Sequence, residues 1–245
     1  METLTFKLIS AGFILLTLVC LIAVVLAIRK AGGNPFSTLF VIGLWLAGIS
    51  IAALQGFFAD FNTVPPRMFI VLLIPIIGLI LLLRNRKFTQ LLEKIPLSWP
   101  IWIQSFRVVV EIFLWQLFVI HLLPEQMTFE GSNLDILVGI TAPFFAYFFR
   151  HHPKVLLAWN IAGLALLTNI VITAILSMPT PFRVFMNEPA NTIVAHFPII
   201  WLPGFLVPLA YYMHFISIIQ ILSRLKKKNA AADTKGLERE AESVQ

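Results

Sequence analysis

Apolar residues fall along this chain in blocks of about 16–23, separated by short polar punctuation, which is the period a bilayer imposes on spanning helices rather than on barrel strands. The blocks predict seven transmembrane helices over residues 8–28, 36–58, 68–83, 101–123, 134–149, 155–176 and 199–222. Gly32, Gly33, Asn34 and Pro35 supply turn chemistry after the first block, and Pro65-Pro66 opens the third. Pro75 and Pro143 predict kinks in the two shortest spans. Residues 88–95 alternate at helical spacing and predict a segment lying on the membrane surface. The connection 177–198 is long and carries many apolar residues, so a lid packed on the helix ends is expected there. The first block is followed by Arg29 and Lys30 and by no small-residue cleavage site, so it is read as an uncleaved helix.

The fourth block departs from this pattern. Gln104, Arg107, Glu111 and His121 recur at spacings of three, four and ten, which puts them on one helix face together with Leu114 and Phe118. A charge near the bilayer centre costs at least ~2.5–3.5 kcal/mol, so this stripe is expected to face protein or trapped water. Arg107 would lie about 9 Å and Glu111 about 15 Å from the start of the span. Two readings follow: Glu111 carries a proton or cation under the influence of Arg107, or the two form a neutralised pair that fixes helix packing.

Composition narrows the class. With 59% hydrophobic and 12% charged residues and a mean hydropathy of +0.90, the chain is excluded from the soluble globular proteins and is expected to be an all-α polytopic bundle. The net charge of +6 would point to an anionic partner such as nucleic acid in a soluble protein, but its distribution explains it without one. Arg29, Lys30, Arg84, Arg86, Lys87, Arg150, Lys154 and the tail 224–245 fall on one face; Lys7, Arg67 and Arg183 fall on the other. The positive-inside rule therefore predicts the amino terminus outside and a charged cytoplasmic tail. Cys20 is the single cysteine and permits no internal disulfide.

The same topology gathers His121, Glu125, Glu130, Asn133, Asp135, Arg183, Asn187, Glu188, Asn191 and His196 at the outer boundary as a polar vestibule. Imidazoles among carboxylates suit a divalent metal, but no HxxxH or HExxH spacing is present, so no metal ligands, cofactor or catalytic set are assigned. His214 lies about 22 Å down the last span, too far from His121 for the two to hold one haem. The expected function is binding or translocation of a small solute or proton through the vestibule, with Glu111 and His121 as way-stations. The alternative is a non-transporting sensor or assembly partner acting through the basic tail.

Seven spans in this orientation resemble the rhodopsins, but the last span holds no lysine for retinal. The span count is also similar to the alkaline ceramidase and adiponectin-receptor superfamily, which implies a zinc-dependent intramembrane hydrolase; the last span offers only His214 toward it. The blocks PEQMTFEGSNLDILVGITAP, AWNIAGLALLTNIV and SMPTPFRVFMNEPANTIVAHFPIIWLP resemble a family of uncharacterised bacterial membrane proteins. That resemblance implies a bacterial inner membrane and carries no activity.

Overall fold

The computed structural model describes the backbone of residues 4–243 and the side chains of residues 4–227. Its helices are α1 (Leu4–Lys30), α2 (Pro35–Leu54), α3 (Met68–Arg84), α4 (Arg86–Glu93), α5 (Ser98–Ile103), α6 (Phe106–Val119), α7 (Ile136–Phe148), α8 (Pro153–Leu176) and α9 (Val207–Ser243). Five stretches are long and apolar enough to cross a membrane: α1, α2, Ser98–Val119, α8 and Leu202–Lys227; the bent pair α3 and α4 makes up to six. The chain is an all-α polytopic membrane protein. Helix α7 is apolar but has 13 residues, and at 1.5 Å each covers about 20 Å of a core about 30 Å thick.

Local chemistry sets the helix ends. Asn34 accepts from the backbone N–H of Phe36 and Ser37, with Pro35 following it, and so starts α2. Asn85 does the same for α4, accepting from Lys87 and Phe88, at a bend of 86° between α3 and α4. Segment 88–95, expected to lie on the membrane, is largely this helix, and Gln220 ties its end down by donating to the carbonyls of Leu92 and Ile95. Glu93 accepts from Ser223 and Lys227, and these bonds hold its carboxyl below the usual carboxylate range.

The last span begins with a π-helical turn, Leu202–Leu206, ahead of Pro208. Proline has no N–H to give the carbonyl four residues back, and the indole of Trp45 takes that place on Gly204, 2.8 Å away. Large apolar side chains of α1 and α2, such as Leu15, Phe36, Phe40 and Leu44, face outward as lipid-soluble helices require.

Helix α6 stops in a left-handed turn. His121 takes φ 58°, its N–H donates to Phe118, and the N–H of Leu122 reaches back to Leu117, the bonding pattern that ends a helix and reverses the chain. The chain then runs back beside α6 with a single 3-10 turn, Glu125–Met127: Glu130 meets Trp115 at 2.7 Å, Asn133 meets Glu111 at 2.7 Å and Asp135 meets Arg107. Helix α8 marks the same descent, with Gln126 on Ser177 and the Ser132 carbonyl on Asn169. Only then does α7 begin, so close to α6 that a Cβ at Gly139 would lie 2.8 Å from the Val108 nitrogen. Segment 125–135, expected as a polar outer loop, is instead folded against α6 and α8, with Thr128 and Asn133 fully buried.

Candidate functional site

One buried polar chain joins α6, the descending segment, α8 and α9. Arg107, 2% exposed, stands at its centre. Its guanidinium makes a two-pronged ion pair with Asp135, Nε donating at 2.7 Å and Nη2 to the second oxygen, while Nη1 lies 2.9 Å from Nε2 of His214. A guanidinium only donates, so Nε2 of His214 must accept and the ring proton must sit on Nδ1. Nδ1 then donates to Oδ1 of Asn160 at 2.9 Å, which leaves the Asn160 amide nitrogen to donate to Ser217 and to the Leu156 carbonyl. Each link fixes the next, and His214 is held as neutral imidazole. A Cβ at Gly163 would lie 2.4 Å from the His214 ring, so the absence of a side chain there lets α9 bring the imidazole in.

Glu111 is not the ion-pair partner that the spacing of four suggests. Arg107 is committed to Asp135, and among the described residues it makes no other ion pair within 4.0 Å. Glu111 instead accepts from Nδ2 of Asn133 at 2.7 Å; Asn133 also donates to the Met127 carbonyl and accepts from the N–H of Asp135. Asn133 and Asp135, expected at the outer vestibule, are thus part of the interior stripe. Gln104 is fully buried and donates to the Ala210 carbonyl.

A cavity of about 90 Å³ lies against this stripe, with room for a few waters or one small solute. Its walls are apolar apart from Glu111, Asp135 and Asn191. Asn191 is fully buried and donates Nδ2 to the Ala174 carbonyl at 3.1 Å, which settles which end of its amide carries nitrogen. Its Oδ1 has no hydrogen-bond partner. The cavity wall therefore holds two carboxyl side chains and an asparagine with an unpartnered amide oxygen.

The other residues expected at the vestibule make local contacts or are exposed. Arg183 pairs with Glu188 at 3.0 Å and donates to the carbonyls of Phe185 and Asn187, closing the 177–198 connection on itself. That connection is anchored to the end of α8 through Val184, Phe185 and Asn191, but Phe182, Val184 and Met186 remain exposed. Glu125, Glu130 and His196 are exposed, as is His121, whose place in the left-handed turn makes it a helix terminator. Among the described residues no three His, Cys, Asp or Glu stand close enough to hold a metal ion.

Sequence reasoning missed His214, Asn160 and Ser217 as members of the site, yet the signal was present. His214 lies about 22 Å into a block beginning at residue 199, which leaves about 8 Å of a ~30 Å core; Arg107 and Asn160 lie about 9 and 8 Å into blocks of opposite sense. The arithmetic that parts His214 from His121 sets it level with Arg107.

Fold and site define a multi-helical membrane protein with a charged interior and a small cavity beside it. The chain belongs to the DUF8737 family, a domain of unknown function, whose model matches residues 65–222 and so takes in every member of the buried network. No curated protein and no solved structure matches it.

Proposed function

We propose that the protein binds a proton, or a small solute bearing a positive charge or hydrogen-bond donors, at Glu111 within the membrane, and passes it toward the face bearing the 177–198 connection. The observation that carries this reading is the cavity: Glu111 lines it and makes no ion pair among the described residues, and Asn191, whose amide oxygen has no hydrogen-bond partner, lines the same space. A carboxylate held in such surroundings with one hydrogen bond, from Asn133, and no ion-pair partner costs several kcal/mol, so the site favours an occupant that brings a proton or a charge. Asp135 needs no such occupant, since Arg107 matches it.

In this reading the amino terminus lies outside, the tail is cytoplasmic and the membrane is the bacterial inner membrane. The seven crossings are kept because the fifth is made in two parts, segment 122–135 through the outer half and α7 through the inner half. Non-helical backbone at membrane depth is tolerated where protein surrounds it, and broken spans of this kind line the binding sites of transporters.

The test uses the full chain in vesicles loaded with a pH-sensitive dye, under an imposed proton gradient. Glu111→Gln is expected to reduce proton entry to that of protein-free vesicles, and the infrared carbonyl band of a protonated carboxyl is expected to vanish with it. Equal entry by both proteins, with the band unchanged, overturns the reading.

A second reading, a sensor or assembly partner, draws on α9, which continues as a helix to Ser243, 21 residues and about 32 Å past Leu222. Removal of residues 228–245 separates the two: proton entry survives if the cavity is the working part and a partner's response is lost if the tail is.

A further inference from the structure

A second and larger space lies on the other side of the last span. It is a groove of about 820 Å³ walled by α1, α2 and α3, floored by the start of the last span and closed at one end by α4. Tyr212 builds it, because its hydroxyl donates to the Pro75 carbonyl at 2.9 Å and holds α3 away from α9 like a strut. The 86° bend then swings α4 under the opening, where a Cβ at Gly33 would lie 3.1 Å from Leu91 and so seals that end.

The lining is apolar apart from Asn34, Ser37 and Thr38 toward the end closed by α4 and from Tyr212. On α2 it reaches from Asn34 to Trp45, eleven residues or about 16 Å, close to half of the ~30 Å hydrocarbon core. The groove is one leaflet deep. A void of this size between apolar helices is strongly unfavourable if left empty, and in a bilayer the adjoining apolar material is acyl chain.

Charge decides which lipid. Arg29 and Lys30 follow the lining residues Ala27 and Ile28, and Arg84, Arg86 and Lys87 surround the bend between the lining residues Leu82 and Phe88. All five are exposed, and none has a carboxylate partner among the described residues; Glu93, the acid of α4, is engaged by Lys227. Five unmatched cations at the one polar end of a leaflet-deep apolar groove complement a phosphate headgroup.

We propose that this groove is a binding site for an anionic phospholipid of the leaflet on the basic side, its acyl chains along Trp45, Gly78, Phe205 and Leu209 and its headgroup against Arg29, Lys30, Arg86 and Lys87. The site is separate from Glu111 and does not depend on what the smaller cavity holds.

The experiment is native mass spectrometry of the whole protein released from nanodiscs of equal phosphatidylglycerol and phosphatidylethanolamine. Wild type is expected to retain phosphatidylglycerol selectively. Lys30→Gln with Arg86→Gln and Lys87→Gln is expected to lower that preference at least about tenfold, from the contribution of each basic residue near a charged surface. Gly78→Leu is expected to expel the bound lipid, since a Cβ there meets only the Tyr212 hydroxyl, at 3.5 Å, and the added side chain has the groove to fill. Equal retention of the two lipids by wild type, retention unchanged in a folded Gly78→Leu protein, or a peptide or other non-lipid in place of lipid, each overturns the proposal. Should Gly78→Leu fail to fold, the lipid preference of the charge variant decides alone.

Discussion

Gly163 and Gly48 both lie within long apolar helices, yet a Cβ on Gly163 would fall 2.4 Å from the His214 ring and a Cβ on Gly48 would meet nothing within 4 Å. The two positions stand for two ways of building a membrane interior. Around α6, α8 and α9 the links from Asp135 through Arg107 and His214 to Asn160 are fixed by direction as well as distance, so helices approach closely there and tolerate little change. Around the outer face of α2 the surfaces are apolar, Gly43 and Gly48 have open space beside them, and a groove lies between α2 and α3. Charge makes the first region specific; lipid makes the second forgiving.

The sharpest way to break this contrast is Arg107→Met, which leaves Asp135 buried and unpaired. A loss of about 3–5 kcal/mol is expected, read as unfolding in mixed micelles, and most of it should return in Arg107→Met with Asp135→Leu, where no charge is left alone. Gly163→Ala is next, at about 1–3 kcal/mol of destabilisation, because the methyl group must displace the imidazole. The same measurement on Gly48→Ala is expected to show a gain of about 0.4–1 kcal/mol, the usual benefit of removing a helical glycine where space allows. A loss at Gly48 as large as at Gly163 would erase the distinction between the regions. His121→Gly should also stabilise, by about 1 kcal/mol, since the left-handed turn then carries no Cβ, and proton entry through the protein should be unchanged.

The smallest effect belongs to Glu93. Its folded carboxyl is held below the ordinary value of 4.5, so what its bonds to Ser223 and Lys227 contribute is present above that pH and is lost as pH falls through the lower, folded value. A shallow decline in the thermal midpoint on acidification below about pH 4.5, absent in Glu93→Gln, is the expected trace.

Much of the architecture was legible in the order of residues because hydropathy reports directly on what faces lipid. The turn at Asn34 that starts α2, the surface helix α4 and the buried Gln104, Arg107 and Glu111 of the stripe on α6 all follow from local chemistry. The partner of Arg107 did not, and the reason is instructive. Glu111 is four residues away on the same face, so proximity in sequence favours it, while Asp135 is the second residue of an apolar run and reads as part of the outer mouth. The clue was length: a run of about 16 residues is too short to cross, so some of what precedes it has to be inside. His121 misled in the opposite direction. A histidine at the end of a polar stripe invites a role in chemistry, whereas its backbone angle gives it a role in turning the chain.

The dependence of Arg107 on three separated stretches bears on how the molecule is made. Asp135 emerges about 28 residues after Arg107, but His214 emerges about 80 residues after that, on the final helix. Until then a nascent chain holds a guanidinium with an idle donor beside a carboxyl segment that is not yet walled in. Incompletely synthesised copies therefore display a polar seam to the lipid, a mark by which membrane quality control can tell them from finished ones.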